Sequence, residues 1–133
     1  MKKINLQLIA ILTVVFMASM SMAKDFLVIS ISQDFPMKNG ETNLKKNFYI
    51  NVGNKDGIIE GTKLNVYRNK LLHDPYQTKK NYSYKIKIGE LKVIHTEPTS
   101  SIAILSQLTP MAKQVQLDVN GVMIGDNVEV SIK

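Results

Sequence analysis

The chain has 133 residues, with 17 basic and 11 acidic side chains, a formal net charge of +6, 44% hydrophobic residues and no cysteine. That length fits one domain. The lack of cysteine excludes a disulfide framework, a thiol nucleophile, a cysteine zinc site and an acylated cysteine, and 21% charged residues is globular rather than disordered composition.

Met1-Lys2-Lys3 is a short positive segment, and Ile4 to Met17 is mostly apolar. Ser21-Met22-Ala23 then places small residues at the −3 and −1 positions of a cleavage site. This is the pattern of a secretory signal peptide spanning residues 1–23 and cut after Ala23. The apolar run is shorter than the ~20 residues a spanning helix needs, so no transmembrane segment is expected after cleavage. Loss of Lys2 and Lys3 takes the net charge from +6 to +4. The expected product is a periplasmic protein of residues 24–133 forming one β-barrel-like domain.

The dominant period in that region is two. Leu27, Ile29 and Ile31 alternate with Val28, Ser30 and Ser32. Asp34 to Lys46 is polar and reads as a connection. Phe48, Ile50 and Val52 form the next alternating run, then Leu64 and Val66, then Ile86 and Ile88. Leu91 and Val93 continue in the opposite phase, so even positions point inward before Gly89 and odd ones after it. A one-residue slip at a glycine predicts a β-bulge in one long bent strand, about Ser83 to Thr96. Asn69 to Tyr82 reads as a long loop. Ile102 and Ile104 form a short run, and Val128, Val130 and Ile132 a last one. Only Leu108 to Gln114, with Pro110 in a first turn, has helical character. The expected fold is all-β: a small, strongly bent barrel or sandwich of six to seven strands with one long loop and at most one short helix.

Two segments echo each other. Gly57-Ile58-Ile59-Glu60-Gly61-Thr62-Lys63-Leu64-Asn65-Val66 resembles Gly121-Val122-Met123-Ile124-Gly125-Asp126-Asn127-Val128-Glu129-Val130. The pattern predicts a glycine turn, an apolar pair plugging one end of the core, a second tight turn and a strand. Whether the echo is a duplication or a chance likeness of two turn-then-strand segments, its glycines are structural. Gly53, Gly57, Gly61, Gly89, Gly121, Gly125 and Asp126 are therefore read as turn or bend residues.

Phe48 through Gly57, the run from Gly61 to Val66-Tyr67-Arg68, Asp74-Pro75, Ile88-Gly89-Glu90-Leu91-Lys92-Val93, Ser101-Ile102-Ala103 and Gly125-Asp126-Asn127-Val128 form an ordered motif set. This set, covering residues 48–132, resembles the C-terminal domain of flagellar assembly protein T and similar modules of exported bacterial envelope proteins. After Asp74-Pro75 such relatives often continue with a Thr-Gly-Glu-like turn, where this chain has Tyr76-Gln77-Thr78. The resemblance implies a small periplasmic β-barrel used in assembly or protein interaction, without catalysis.

The residues themselves offer little chemistry. His73 and His95 are a poor start for a zinc site, which needs three or four ligands. No serine sits in a G-x-S-x-G elbow, and no phosphate-cradling G-x-x-x-x-G-K-[ST] is present. The reading is no enzyme, no metal and no cofactor. The informative stretch runs from Tyr67 to Lys87, where tyrosines interleave with cations: Arg68, His73, Tyr76, Lys79, Lys80, Tyr82 and Tyr84 are the candidate binding residues. Aromatic faces with cations suit a protein partner or an anionic polymer, and the same pattern also fits a strand edge guarded by lysines. Export argues against nucleic acid. Two functions stay open: an interaction or assembly module of an envelope or flagellar-type protein assembly, and a binding module for peptidoglycan or another anionic envelope polymer. The oligomeric state is not legible.

Overall fold

The computed structural model describes residues 24–40, 42, 44–110 and 114–132. The expected signal peptide lies outside them, as do residues 111–113 at the centre of the expected helical turn. The fold is all-β: β1 (Val28–Gln33), β2 (Lys46–Ile50), β3 (Lys63–His73), β4 (Asn81–Thr96), β5 (Ser101–Leu108) and β6 (Asn127–Val130), with one short 3-10 turn at Asn54–Asp56. Every pairing is antiparallel and the strand order is β1-β2-β5-β4-β3-β6. The sheet is an open one, not a closed barrel. Among the described residues its two edges meet through one bridge, Leu27 with Asn127, flanked by backbone bonds from Val28 N–H to Asp126 C=O and from Val128 N–H to Phe26 C=O. Among the described residues no helix is long and apolar enough to cross a membrane.

One face of this coiled sheet forms the core. Phe48, Ile50, Val52, Leu64, Val66, Ile88, Leu91, Val93 and Val128 are buried there, in the phases their alternation predicts. The slip at Gly89 is a bulge. Val66 pairs with Gly89 and Tyr67 with Lys87, so Ile88 is the extra residue on β4. Without that slip Leu91 and Val93 would face solvent, forfeiting about 1.5–3 kcal/mol each. Gly89 also lets β5 approach: a Cβ there would lie 2.5 Å from the Gln107 carbonyl oxygen.

Three runs differ from expectation. In β1, Val28 pairs with Ile50 and Ser30 with Tyr49, leaving Ile29 as a bulged residue that is 50% exposed. The bulge turns Val28 inward and lets Ile31 pack against the core. In β5 the buried positions are Ser101 and Ala103, with Ile104 exposed. Ala103 lies between Phe48 on β2 and Val93 on β4, so its small side chain faces two larger ones. In β6 only Val128 is buried: Val130 pairs with the buried Leu64 but is 43% exposed, and Ile132 lies beyond the strand.

Half of the Asn69–Tyr82 stretch is strand rather than loop. Asn69 to His73 pair with Lys85 to Asn81, and only residues 74–80 form the connection. β6 leaves β3 after Tyr67 and β5 leaves β4 after Gly89, so this hairpin extends beyond the six-stranded body as a two-stranded arm.

The sequence echo has the same geometry in both copies. Thr62 N–H donates to Ile59 C=O, and Asp126 N–H to Met123 C=O. The third residue of each turn is a glycine in the left-handed region, Gly61 at φ +87° and Gly125 at φ +91°. In each turn the fourth side chain caps the first N–H: Thr62 Oγ1 accepts from Ile59, and Asp126 Oδ2 from Met123. Each turn also docks on a valine of a neighbouring strand, Gly61 and Thr62 on Val93, Gly125 and Asp126 on Val28. The plug is a single residue per copy: Ile58 and Val122 are buried, while Ile59 is exposed.

Left-handed geometry costs an L-residue roughly 1–2 kcal/mol, more with a branched Cβ and less for asparagine. Gly61→Val is therefore expected to lower the melting temperature by several degrees and Gly61→Asn by clearly less. Equal melts for the two variants would remove the turn geometry as the cause.

Candidate functional site

The arm is fastened at its base by Arg68. Its Nε and Nη2 donate to Asp126 Oδ1 and Oδ2, each at 2.8 Å. Nη1 donates to the Val119 carbonyl at 2.6 Å and Nη2 also to the Gly121 carbonyl at 2.7 Å. Asp126 is 2% exposed. This forked geometry needs a guanidinium, whose planar donors match a carboxylate. The charge of Arg68 is thus answered inside the fold. Between the arm base and residues 117–127 lies an open groove of about 530 Å³, walled by Arg68 to Leu71 on one side and by Leu117 to Val119 and Met123 to Asn127 on the other.

Beyond Arg68 the register sorts the arm into two faces. Leu64 and Val66 point inward, so Arg68, Lys70 and Leu72 share their side, opposite Ile86, Tyr84 and Tyr82 on β4. Ile86 still packs on the core. Leu72, Tyr82 and Tyr84 lie past it and stand exposed. The other face pairs Tyr67 with Lys87, Asn69 with Lys85, Leu71 with Ser83 and His73 with Asn81. Lys85 bonds Glu129 and sits 4.5 Å from the Tyr67 ring centroid. Lys70 Nζ donates to the Gln116 carbonyl at 3.3 Å.

The tip is held by polar contacts. Asp74 N–H donates to the Lys80 carbonyl and Lys80 N–H to that of Gln77. Asp74 Oδ1 accepts from Tyr76 N–H at 2.9 Å, an Asx-type turn. The Tyr76 ring is 94% exposed. The Lys80 ammonium lies 5.1 Å from the Tyr82 ring centroid, and Tyr82 Oη is 3.5 Å from Asp74 Oδ2. His73 Nδ1 and Asn81 Oδ1 are 2.8 Å apart. Among the described residues neither Lys79 nor Lys87 has an ion-pair partner.

The structure therefore brings His73, Tyr76, Lys79, Lys80, Tyr82 and Tyr84 together on the outer arm, and places Arg68 at its root in a structural ion pair. Of the turn glycines, Gly57 and Gly121 have matching φ values of +83° and +84°. Gly53 instead marks a close approach, since a Cβ on it would lie 2.1 Å from the Glu97 carbonyl oxygen. His95 lies on the body of the sheet, its Nε2 3.0 Å from Glu97 Oε1. Among the described residues no cluster of three histidine or acidic side chains is arranged to hold a metal ion. Sequence reasoning missed the Arg68–Asp126 pair. Its one signal is the position shared by Thr62 and Asp126 in the echo, where aspartate has an oxygen more than the cap needs.

No protein-family model matches the chain, and no curated protein matches it.

Removing one partner of a buried ion pair costs about 3–5 kcal/mol, because the other charge is left uncompensated. Arg68→Ala and Asp126→Ala are each expected to lower the unfolding free energy by about that much. Their double variant should lose much less than the sum of the two in a urea-unfolding cycle. Strict additivity would show that the two groups do not interact.

Proposed function

We propose that the protein is a non-enzymatic docking module of a periplasmic envelope assembly, with the hairpin arm as its contact surface. The observation that carries this reading is the charge of the arm. Residues 69–87 contain five lysines and one aspartate. That excess of four positive charges equals the net charge of the whole chain from Lys24 onward. The body is thus close to electrically balanced, and the field of the molecule emanates from the arm. Tyr76, Tyr82 and Tyr84 add amphipathic rings, the residue type enriched where proteins meet. The ordered motif set resembling the flagellar assembly domain supports an assembly role, and the signal-peptide pattern of residues 1–23 supports the periplasm.

A second reading keeps the surface and changes the partner. The exposed Tyr76 ring, next in the tip to Lys79 and Lys80, suits stacking on a sugar with a carboxylate nearby, and would make the arm a binder of peptidoglycan or another anionic polymer.

The test is in-cell cross-linking of tagged protein, compared with a variant carrying Tyr76→Ser, Lys79→Ser, Lys80→Ser and Tyr82→Ser. Envelope proteins joined by the wild type and lost by the variant are the expected result. Adducts that persist in the variant would refute the arm as the docking surface. Co-sedimentation with purified sacculi decides the second reading: retention that collapses between about 0.05 and 0.5 M salt supports the polymer, and no retention removes it.

A further inference from the structure

The arm has an open backbone edge as well as a charged surface. Asp74 N–H donates to Lys80 C=O, which fixes the alternation along β4. Tyr82, Tyr84 and Ile86 then turn their backbone groups toward β3, so Asn81, Ser83, Lys85 and Lys87 turn theirs away. β5, the neighbour on that side, pairs no further along β4 than Gly89, and Thr109 N–H to Ile88 C=O at 2.9 Å is the last bond across the gap. Among the described residues no strand pairs with Asn81 to Lys87 on this side.

We propose that this edge takes an extended acidic segment of a protein partner, which adds to the sheet beside β4 in line with β5. The inference rests on the docking reading above and names how the partner is recognised. A strand laid there presents alternate side chains to the two faces of the arm. On one face they meet Tyr82 and Tyr84, half-exposed rings continuing the core side. On the other they meet Lys87, with Lys79 at the tip, while the Lys85 ammonium turns the opposite way, over Tyr67 to Glu129. The matching sequence therefore alternates apolar and acidic residues. A second copy of the same edge is disfavoured, because its lysines would face these lysines.

The experiment uses the purified protein and two synthetic peptides of equal composition, one alternating Glu and Val, the other with its Glu and Val residues in separate blocks. The alternating peptide is expected to bind and to protect the amides of Asn81, Ser83, Lys85 and Lys87 from hydrogen exchange. Ser83→Pro removes one outward N–H and leaves the β3 ladder intact. It should weaken binding by roughly tenfold, the scale of losing one or two backbone hydrogen bonds, with an unchanged melt. A variant with Lys79→Ser, Lys80→Ser and Lys87→Ser reads the charge separately. If Ser83→Pro binds like wild type, or both peptides bind alike, while the lysine variant loses binding, strand addition is overturned and the docking arm stands. If no peptide binds, strand addition is overturned and the cross-linking result alone decides the arm; if the alternating peptide binds and neither variant changes its binding, both the inference and the arm's part in it fall.

Discussion

A carboxylate buried as deeply as that of Asp126 must be answered by donors, or the fold loses more than a hydrogen bond is worth. Asp126 draws its donors from two places. The Met123 N–H comes from its own turn, and the Arg68 guanidinium from the strand that becomes the arm. Its main-chain carbonyl meanwhile receives Val28 N–H from the opposite edge of the sheet. One residue thus fixes the turn before β6, the meeting of the two sheet edges and the root of the hairpin. The direction of the arm is set here, because Arg68 also binds the Val119 and Gly121 carbonyls.

The echo explains why such a residue stands at this point. In both copies a four-residue turn leads into a strand and docks on a valine across the fold. In the first copy the capping group is a hydroxyl, Thr62 Oγ1, which does its local work and nothing further. In the second it is a carboxylate, which caps with Oδ2 and has Oδ1 to spare for Arg68 Nε. The strands that follow, β3 and β6, pair with each other. Two similar units therefore lie side by side, and the difference between threonine and aspartate falls where β3 runs on past its partner. The longer strand needs an anchor at that point, and only one of the two turns can provide it.

What was legible in the sequence follows the same physics. The bulge in β4 could be read because its phase slip coincides with a glycine and both flanks carry buried side chains. The bulge at Ile29 could not, because that isoleucine preserves the alternation of Leu27 and Ile31 while sitting outside it. Ala103 was missed since its flanking isoleucines are the stronger apolar signal, yet a small residue is what fits between Phe48 and Val93. The candidate residues of the arm were found by composition, but their pairing was not. Beyond the core neither face is fully buried, so no period of two marks the strands. The Arg68–Asp126 contact spans 58 positions in sequence, and no local pattern reports a contact of that range.

The pairing changes what the arm can do. A loop of its length would lose conformational freedom on meeting a partner, at roughly 1–2 kcal/mol per backbone residue fixed. A ladder registered from Asn69–Lys85 to His73–Asn81 has met that cost during folding. The backbone positions that carry Leu72, Tyr82 and Tyr84 are held at set spacings, which is the condition for affinity from a small surface. Such order carries a liability, since a rigid two-stranded ribbon offers open backbone to any chain nearby. Lysines along the β4 edge limit it, repelling another copy and basic segments alike. The same charges that guard the edge therefore select what is admitted to it. In the proposed docking mode, protection against aggregation and recognition of an acidic partner are two consequences of one arrangement.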